Sequence, residues 1–205
     1  MKRILPFTLL LLACLCLPSK AQSLGVLEKV IAELDTSKGI QIEFQMQGEL
    51  SETPIEGNYY ALGHRFYLTS PIMQSWYNGT DLWVYVHQNE EVNLSRPTPE
   101  ELTDVNPLTN LQLIQKRKMT LHESKTNQGY QIIALPNTPE KAYLERIIVQ
   151  TNNKYTPTLL QVYDKNSSQP LTIHIKSIHK GVKLDNALFT FTANKAPKIA
   201  VIDLR

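Results

Sequence analysis

Five histidines, His64, His87, His122, His174 and His179, are the first side chains to test for metal or acid–base chemistry. None is paired at the His-x-x-x-His spacing that places two imidazoles on one helix face around a zinc ion. His174 alternates with Thr172 and Lys176 and reads as a solvated strand row. Ser70, Ser75 and Ser95 lack the Gly-x-Ser-x-Gly elbow that presents a nucleophile on a sharp turn, and a chain with only 8 glycines has no phosphate-cradling loop. Two carboxylate pairs remain, Glu90-Glu91 and Glu100-Glu101. Paired-carboxylate catalysis needs carboxyls about 5–9 Å apart across a substrate. Adjacent strand residues point to opposite faces, so the first pair marks a hairpin end, and the second falls where a helix starts. The residue types therefore predict a binding protein rather than an enzyme, with no metal and no cofactor.

The N-terminus reads as an export signal. Lys2 and Arg3 precede an apolar run from Ile4 to Leu17, and Ser19-Lys20-Ala21 offers a small-x-small cleavage site. Residues 1–21 are thus expected to be removed after Ala21, leaving residues 22–205 as one domain in the periplasm. The run is shorter than the roughly 20 residues that span a bilayer. An alternative is that Leu11-Leu12-Ala13-Cys14 is a lipoprotein signal with Cys14 acylated. Both cysteines, Cys14 and Cys16, lie in the leader, so the mature chain has no thiol for a disulfide, a nucleophile or a metal. The leader also carries three of the 21 basic residues, so the formal charge of +2 becomes −1 with 18 basic against 19 acidic residues. Nucleic acid, which needs a clustered positive surface, is not an expected partner. Three Asn-x-Ser/Thr triplets, at Asn78, Asn93 and Asn166, carry little weight for a bacterial export product.

The elements that would position a site follow from periodicity. Leu24, Leu27, Ile31 and Leu34, with Val30 beside them, form an apolar stripe at helical spacing over residues 22–35. Lys38-Gly39 ends it, and Ile40, Ile42, Phe44 and Met46 alternate with polar residues, the pattern of a strand with one wet face. The period of two recurs near 55–62, 64–70, 72–77, 82–87, 90–95, 116–123, 129–135, 143–151, 157–164, 170–178 and 186–193, with a last strand near 199–204. Thr98-Pro99-Glu100-Glu101 is a capping-box start for helix over about 98–115, with a second start at Asn106-Pro107 and Leu108, Leu111 and Ile114 on it. Residues 136–141 read as a loop. Ten or more strands in one sheet must curl, because strand twist accumulates. The fold class is therefore mainly β with a few helices: a curved antiparallel sheet forming an incomplete, half β-barrel covered by a helical lid. Patterning alone leaves two versions open, one with a cavity under the lid and one with a fully packed core.

Between Trp76-Tyr77 and Leu82-Trp83-Val84-Tyr85-Val86 stands Asn78-Gly79, the dipeptide favoured in two-residue hairpin turns. Such a turn sets Ser75 opposite Leu82. Met73, Leu82 and Val84 then share one face, and Trp76, Trp83 and Tyr85 the other.

The stretch from Trp76 to Leu102 resembles the periplasmic outer-membrane lipoprotein carrier family (LolA-like). The resemblance extends to Arg65-Phe66-Tyr67-Leu68, to Glu91-Val92-Asn93, to Asn106-Pro107, and to the ending Phe189-Thr190-Phe191 with Val201 to Arg205. It implies a monomeric carrier that takes acylated lipoproteins from an inner-membrane export complex and passes them to an outer-membrane acceptor. It equally admits a related lipid-binding envelope sensor, or an acceptor of the same fold. The lipid-binding residues it implies are Leu27, Ile31, Leu111 and Ile114 on the lid, and Phe44, Met46, Phe66, Leu68, Met73, Leu82 and Val84 on the sheet. Trp83 and Tyr85 would be structural aromatics. Where family members carry an arginine that ties sheet to lid, this chain has Leu62-Gly63-His64, and Arg65 is displaced so that it would point differently.

Overall fold

The computed structural model describes residues 25–49, 51–99, 101–106, 111, 114–115, 119–192 and 199–205. The leader, its cleavage site and Cys14 lie outside the described residues, as do residues 22–24 of the predicted first helix. Twelve strands make one sheet: β1 (Ile40–Gly48), β2 (Ser51–Leu62), β3 (Arg65–Thr69), β4 (Met73–Tyr77), β5 (Leu82–Val86), β6 (Glu91–Ser95), β7 (Thr120–Lys125), β8 (Gly129–Leu135), β9 (Leu144–Asn152), β10 (Pro157–Asp164), β11 (Leu171–Lys180) and β12 (Ala200–Asp203). Their order is β12-β6-β5-β4-β3-β2-β1-β11-β10-β9-β8-β7. Two hairpin meanders, β1 to β6 and β7 to β11, are sewn together where β1 pairs with β11. The result is one open, curved sheet, an incomplete barrel.

The topology dictates where the helices go. Strands β6 and β7 are consecutive along the described strands yet stand toward opposite sides of the sheet, so the chain makes a crossover between them. Helix α2 (Glu101–Val105) lies on this crossover, and Leu111 and Ile114 beyond it are helical. The capping box forms as its residue types require: the Thr98 amide donates to Glu101 Oε2 at 2.7 Å, and the Glu101 amide donates to Thr98 Oγ1 at 3.3 Å. Helix α1 (Val26–Glu33) covers the other half of the concavity. Its most buried residues are Leu27 and Val30, while Ile31 and Leu34 are half-buried, so the stripe centres on an i, i+3 pair.

The apolar spacing in β11 is irregular, Ile173, Ile175 and then Ile178. A β-bulge reconciles it: Glu43 pairs with Ser177 and Phe44 with Ile175, leaving Lys176 as the extra residue. The slip returns Ile178 to the concave side and adds local twist. Phe44 lies over Gly57, where an added Cβ would stand 2.4 Å from the ring. A bare backbone makes room for this aromatic.

Four expectations change. The strand expected over 186–193 does not form across its described residues, 186–192. The Asp185 side chain accepts from the Ala187 amide at 2.8 Å, starting a 3₁₀ turn, Asn186–Phe189, that buries Phe189. Residues 139–141 of the expected loop form a second such turn. The hairpin at Asn78-Gly79 has a four-residue loop, with Tyr77 opposite Leu82 and Ser75 opposite Val84. Asn78 Oδ1 accepts from the amides of both Thr80 and Asp81 at 2.9 Å, and the Asn78 amide donates to the Asp81 carbonyl at 3.2 Å, so side chain and backbone close the turn together. The register moves by two residues, an even step, and every side chain keeps its expected face. Finally, β12 runs parallel to β6, whereas the other pairings are antiparallel.

Candidate functional site

The concave face is one continuous apolar cluster. Among the described residues it includes Ile40, Ile42 and Phe44 of β1, Tyr59 and Ala61 of β2, Phe66 and Leu68 of β3, and Leu82 of β5. The second meander adds Ile132, Ala134, Ile147 and Val149, and the lid contributes Leu27, Val30, Leu111 and Ile114. All eleven residues named above as lipid-binding lie in this cluster or against it: Leu27, Phe44, Phe66, Leu68, Leu82, Leu111 and Ile114 are buried, and Ile31, Met46, Met73 and Val84 are half-buried. The lid side chains at 27, 30, 111 and 114 are 0–2% exposed, so they occupy the concavity themselves. Sequence reasoning missed the contribution of β8 and β9, although their alternation over 129–135 and 143–151 carried the signal.

Trp76 and Trp83 fall on the convex side, in a separate cluster with Val92, Leu94 and Phe191, flanked by Tyr67, Tyr85 and Ile199. The chain leaving the 3₁₀ turn covers them, with Phe191 edge-on to Trp76 at 5.3 Å. Arg65 also faces this side: its Nη1 donates to Asn186 Oδ1 at 2.6 Å and its guanidinium lies 5.3 Å from the Phe189 ring. It therefore points away from the lid.

Polar groups hold α1 to the sheet at three levels. Gly25, its N-cap, has no side chain to satisfy the first amides. Glu123 on β7 does so from 96 residues away, accepting from Val26 N at 3.1 Å and Leu27 N at 3.0 Å. A carboxylate there also faces the positive end of the helix dipole. In the middle, Lys29 Nζ donates to the Tyr155 hydroxyl at 3.1 Å and lies 4.4 Å from that ring, which stacks on Tyr130. At the end, Glu33 pairs with Lys180 at 2.8 Å and accepts from Thr156 Oγ1 at 3.4 Å. No short-range pattern marks these partners, because each contact joins elements far apart in sequence.

Where the turns of the first meander meet α2, a cleft of about 600 Å³ opens. Tyr59, Phe66 and Tyr77 line it, facing Pro99 and Leu102. The three rings form a row across β2, β3 and β4, with centroid spacings of 5.9 and 5.4 Å. Gly63 and Gly79 stand at its rim, both with positive φ, and a Cβ at Gly63 would meet nothing within 4 Å. At its back Asn106, fully buried, donates through Nδ2 to the Tyr59 hydroxyl at 3.0 Å. Burial pushes the Tyr59 phenol up to about 12, and the Asn106 hydrogen bond opposes that only in part. Tyr59 is a neutral wall.

Two further polar groups bear on chemistry. Ser75 is inward-facing and fully buried, and its hydroxyl has no hydrogen-bond partner among the described residues. Ser177 Oγ donates to Glu43 Oε2 at 2.8 Å and lies 3.2 Å from His179 Nε2. A hydrolytic triad needs the carboxylate on the histidine, orienting its other nitrogen. Here the carboxylate engages the serine, so the arrangement is a surface hydrogen-bond row.

Residues 20–175 match the family model described as outer membrane lipoprotein carrier protein LolA. No curated protein matches the chain. Among solved structures, an uncharacterized conserved protein from Thermus thermophilus shares 12% identity with a TM-score of 0.56, over 87% of this chain and 96% of that one. That likeness shows a shared fold. A putative outer membrane lipoprotein-sorting protein domain from Vibrio parahaemolyticus aligns at 10% identity and a TM-score of 0.45, covering 80% of this chain and 94% of that one. A LolA superfamily protein from Nitrosomonas europaea aligns at 11% identity and 0.44, covering 81% and 96%.

Proposed function

The chain belongs to the outer-membrane lipoprotein carrier family, and from that premise we propose that it is a periplasmic carrier that shields the acyl chains of lipoproteins between inner and outer membranes. The observation that supports this most is the concavity itself, an apolar surface covered by helices whose own side chains fill it. On this reading the chain acts as a monomer after removal of residues 1–21. An inner-membrane export complex supplies its cargo and an outer-membrane acceptor receives it.

The energetics favour exchange. An acyl chain of about 15 methylenes gains roughly 12 kcal/mol on leaving water, at about 0.8 kcal/mol per CH₂. The burial of Leu27 and Val30 is worth roughly 3–6 kcal/mol together. The helix cap and the exposed ion pair at α1 add about 1–2 kcal/mol. Acyl chain therefore displaces α1, whereas water does not, and the empty protein hides its apolar wall until cargo arrives. Leu27, Ile31, Leu111 and Ile114 are the lid contacts that yield. Phe44, Met46, Phe66, Leu68, Met73, Leu82 and Val84 are the wall that receives the chains.

The test is to mix purified mature protein with a detergent-solubilised triacylated lipoprotein and remove the detergent. A soluble one-to-one complex is expected, with a non-acylated form of the same lipoprotein left unbound. Equal capture of both forms, or precipitation of the acylated one, would sink the reading.

A further inference from the structure

The cleft lined by Tyr59, Phe66 and Tyr77 remains open while α1 is seated, although its floor belongs to the same apolar cluster that α1 covers. We infer that this cleft is a port through which one linear acyl chain, bearing a carbonyl head, reaches the concave wall before the lid lifts. The inference rests on the carrier reading above and adds the route by which cargo first engages.

Five observations carry it. The volume, about 600 Å³, is that of small-molecule sites, which run roughly 300–1,000 Å³. The three rings make an apolar strip running across the strands from β2 to β4, a shape suited to an extended chain. The next residue along that row is Leu82, opposite Tyr77, so the strip leads toward the aliphatic wall. The rim is polar and, among the described lining residues, contains no carboxylate. His64, Arg65 and Asn78 line it; Arg65 Nη1 already donates to Asn186, and Asn78 Oδ1 is committed to its own turn, which leaves the Asn78 amide group only its donor nitrogen to offer. Donors around an apolar slot suit an ester, amide or carboxylate head left at the surface while the tail goes in. The two rim glycines keep the opening clear: at Gly63 a side chain would project into free space, and both backbones hold φ values that disfavour one.

The same chemistry is offered by a free fatty acid and by the acyl groups of a lipoprotein, so both are tested. The mature protein is mixed in stopped flow with a fluorescent long-chain fatty acid, and separately with a fluorescent triacylated peptide. Wild type is compared with Leu102→Trp, which fills the cleft from α2, and with His64→Trp, which obstructs it from an exposed turn that cannot disturb the core. Slower association by about tenfold for either probe in both variants is expected, within the one to three decades over which related association rates vary. Slowing confined to the fatty acid would assign the port to free acids, and slowing of the peptide would assign it to lipoprotein chains; each supports the port. Unchanged association of both probes in His64→Trp and Leu102→Trp overturns the port and leaves the carrier standing. If wild type takes up neither probe, the carrier reading falls and the port with it.

Discussion

Replacing Glu123 with alanine should loosen α1 without loosening the sheet. Its carboxylate caps two amides that Gly25 cannot cap, and the strand that bears it, β7, pairs among the described strands with β8 alone. Loss of a helix N-cap costs about 1 kcal/mol, within a range of roughly 0.5–2. At RT of about 0.59 kcal/mol that raises the population with α1 lifted about fivefold. Glu123→Gln keeps an acceptor oxygen and should show a smaller rise. The assay uses the absence of cysteine from residues 22–205, which makes any introduced thiol unique. Leu27→Cys reports on α1, and Ile147→Cys, buried in β9, reports on the sheet. Labelling of Cys at 27 should speed up about fivefold in the Glu123→Ala background while labelling at 147 stays put. Equal acceleration at both positions would mean global unfolding, and no acceleration at 27 would mean that the cap does not hold the helix; either result refutes the reasoning.

Other outcomes follow from single contacts. Leu27→Ala should cost about 2–5 kcal/mol of stability, yet tighten acyl binding, because the lid competes less; calorimetry and fatty-acid titration together read the opposite signs. Tyr59 is held neutral by the fold, with its phenol raised from 10.0 to about 12. Its contribution is complete below pH about 10 and disappears as pH rises through about 12, a loss of up to roughly 3 kcal/mol that Tyr59→Phe should abolish in urea melts. Gly57→Ala forces the Phe44 ring aside and should cost about 1–3 kcal/mol, with Phe44→Leu in the same chain restoring much of it. Ser75→Ala removes a buried hydroxyl that has no partner among the described residues and should raise the melting temperature, since such a group costs about 1–3 kcal/mol.

Much of this architecture was legible in the sequence because strand alternation is local. The capping box at Thr98 formed as written, and the two faces of the β4–β5 hairpin kept their residues through an error in loop length, since a slip of two preserves parity. Residues 186–193 failed for the opposite reason. Their alternation is strand-like, but the Asp185 side chain competes for the backbone and wins a turn. The parallel pairing of β12 was hidden because direction depends on how the chain returns, and four residues carry no record of it. At the site, apolar side chains of the first meander and the lid could be placed on the concave face from alternation, whereas those of β8 and β9 were missed and Glu123, Lys180 and Tyr155 carried no signal. Their roles exist only once distant strands have been brought beside α1.

The two coverings of the concavity are attached in different ways, and this sets how they can move. Helix α1 joins β1 across the short connection 34–39, which Thr36 ties to Gly63 of the β2–β3 turn, so the helix hangs from one strand like a flap. The stretch bearing α2, Leu111 and Ile114 is fastened to β6 at one side and β7 at the other, like a handle on a bucket, and so is held at both ends. The two coverings thus differ in kind: one hangs from a single strand, the other spans the sheet from rim to rim.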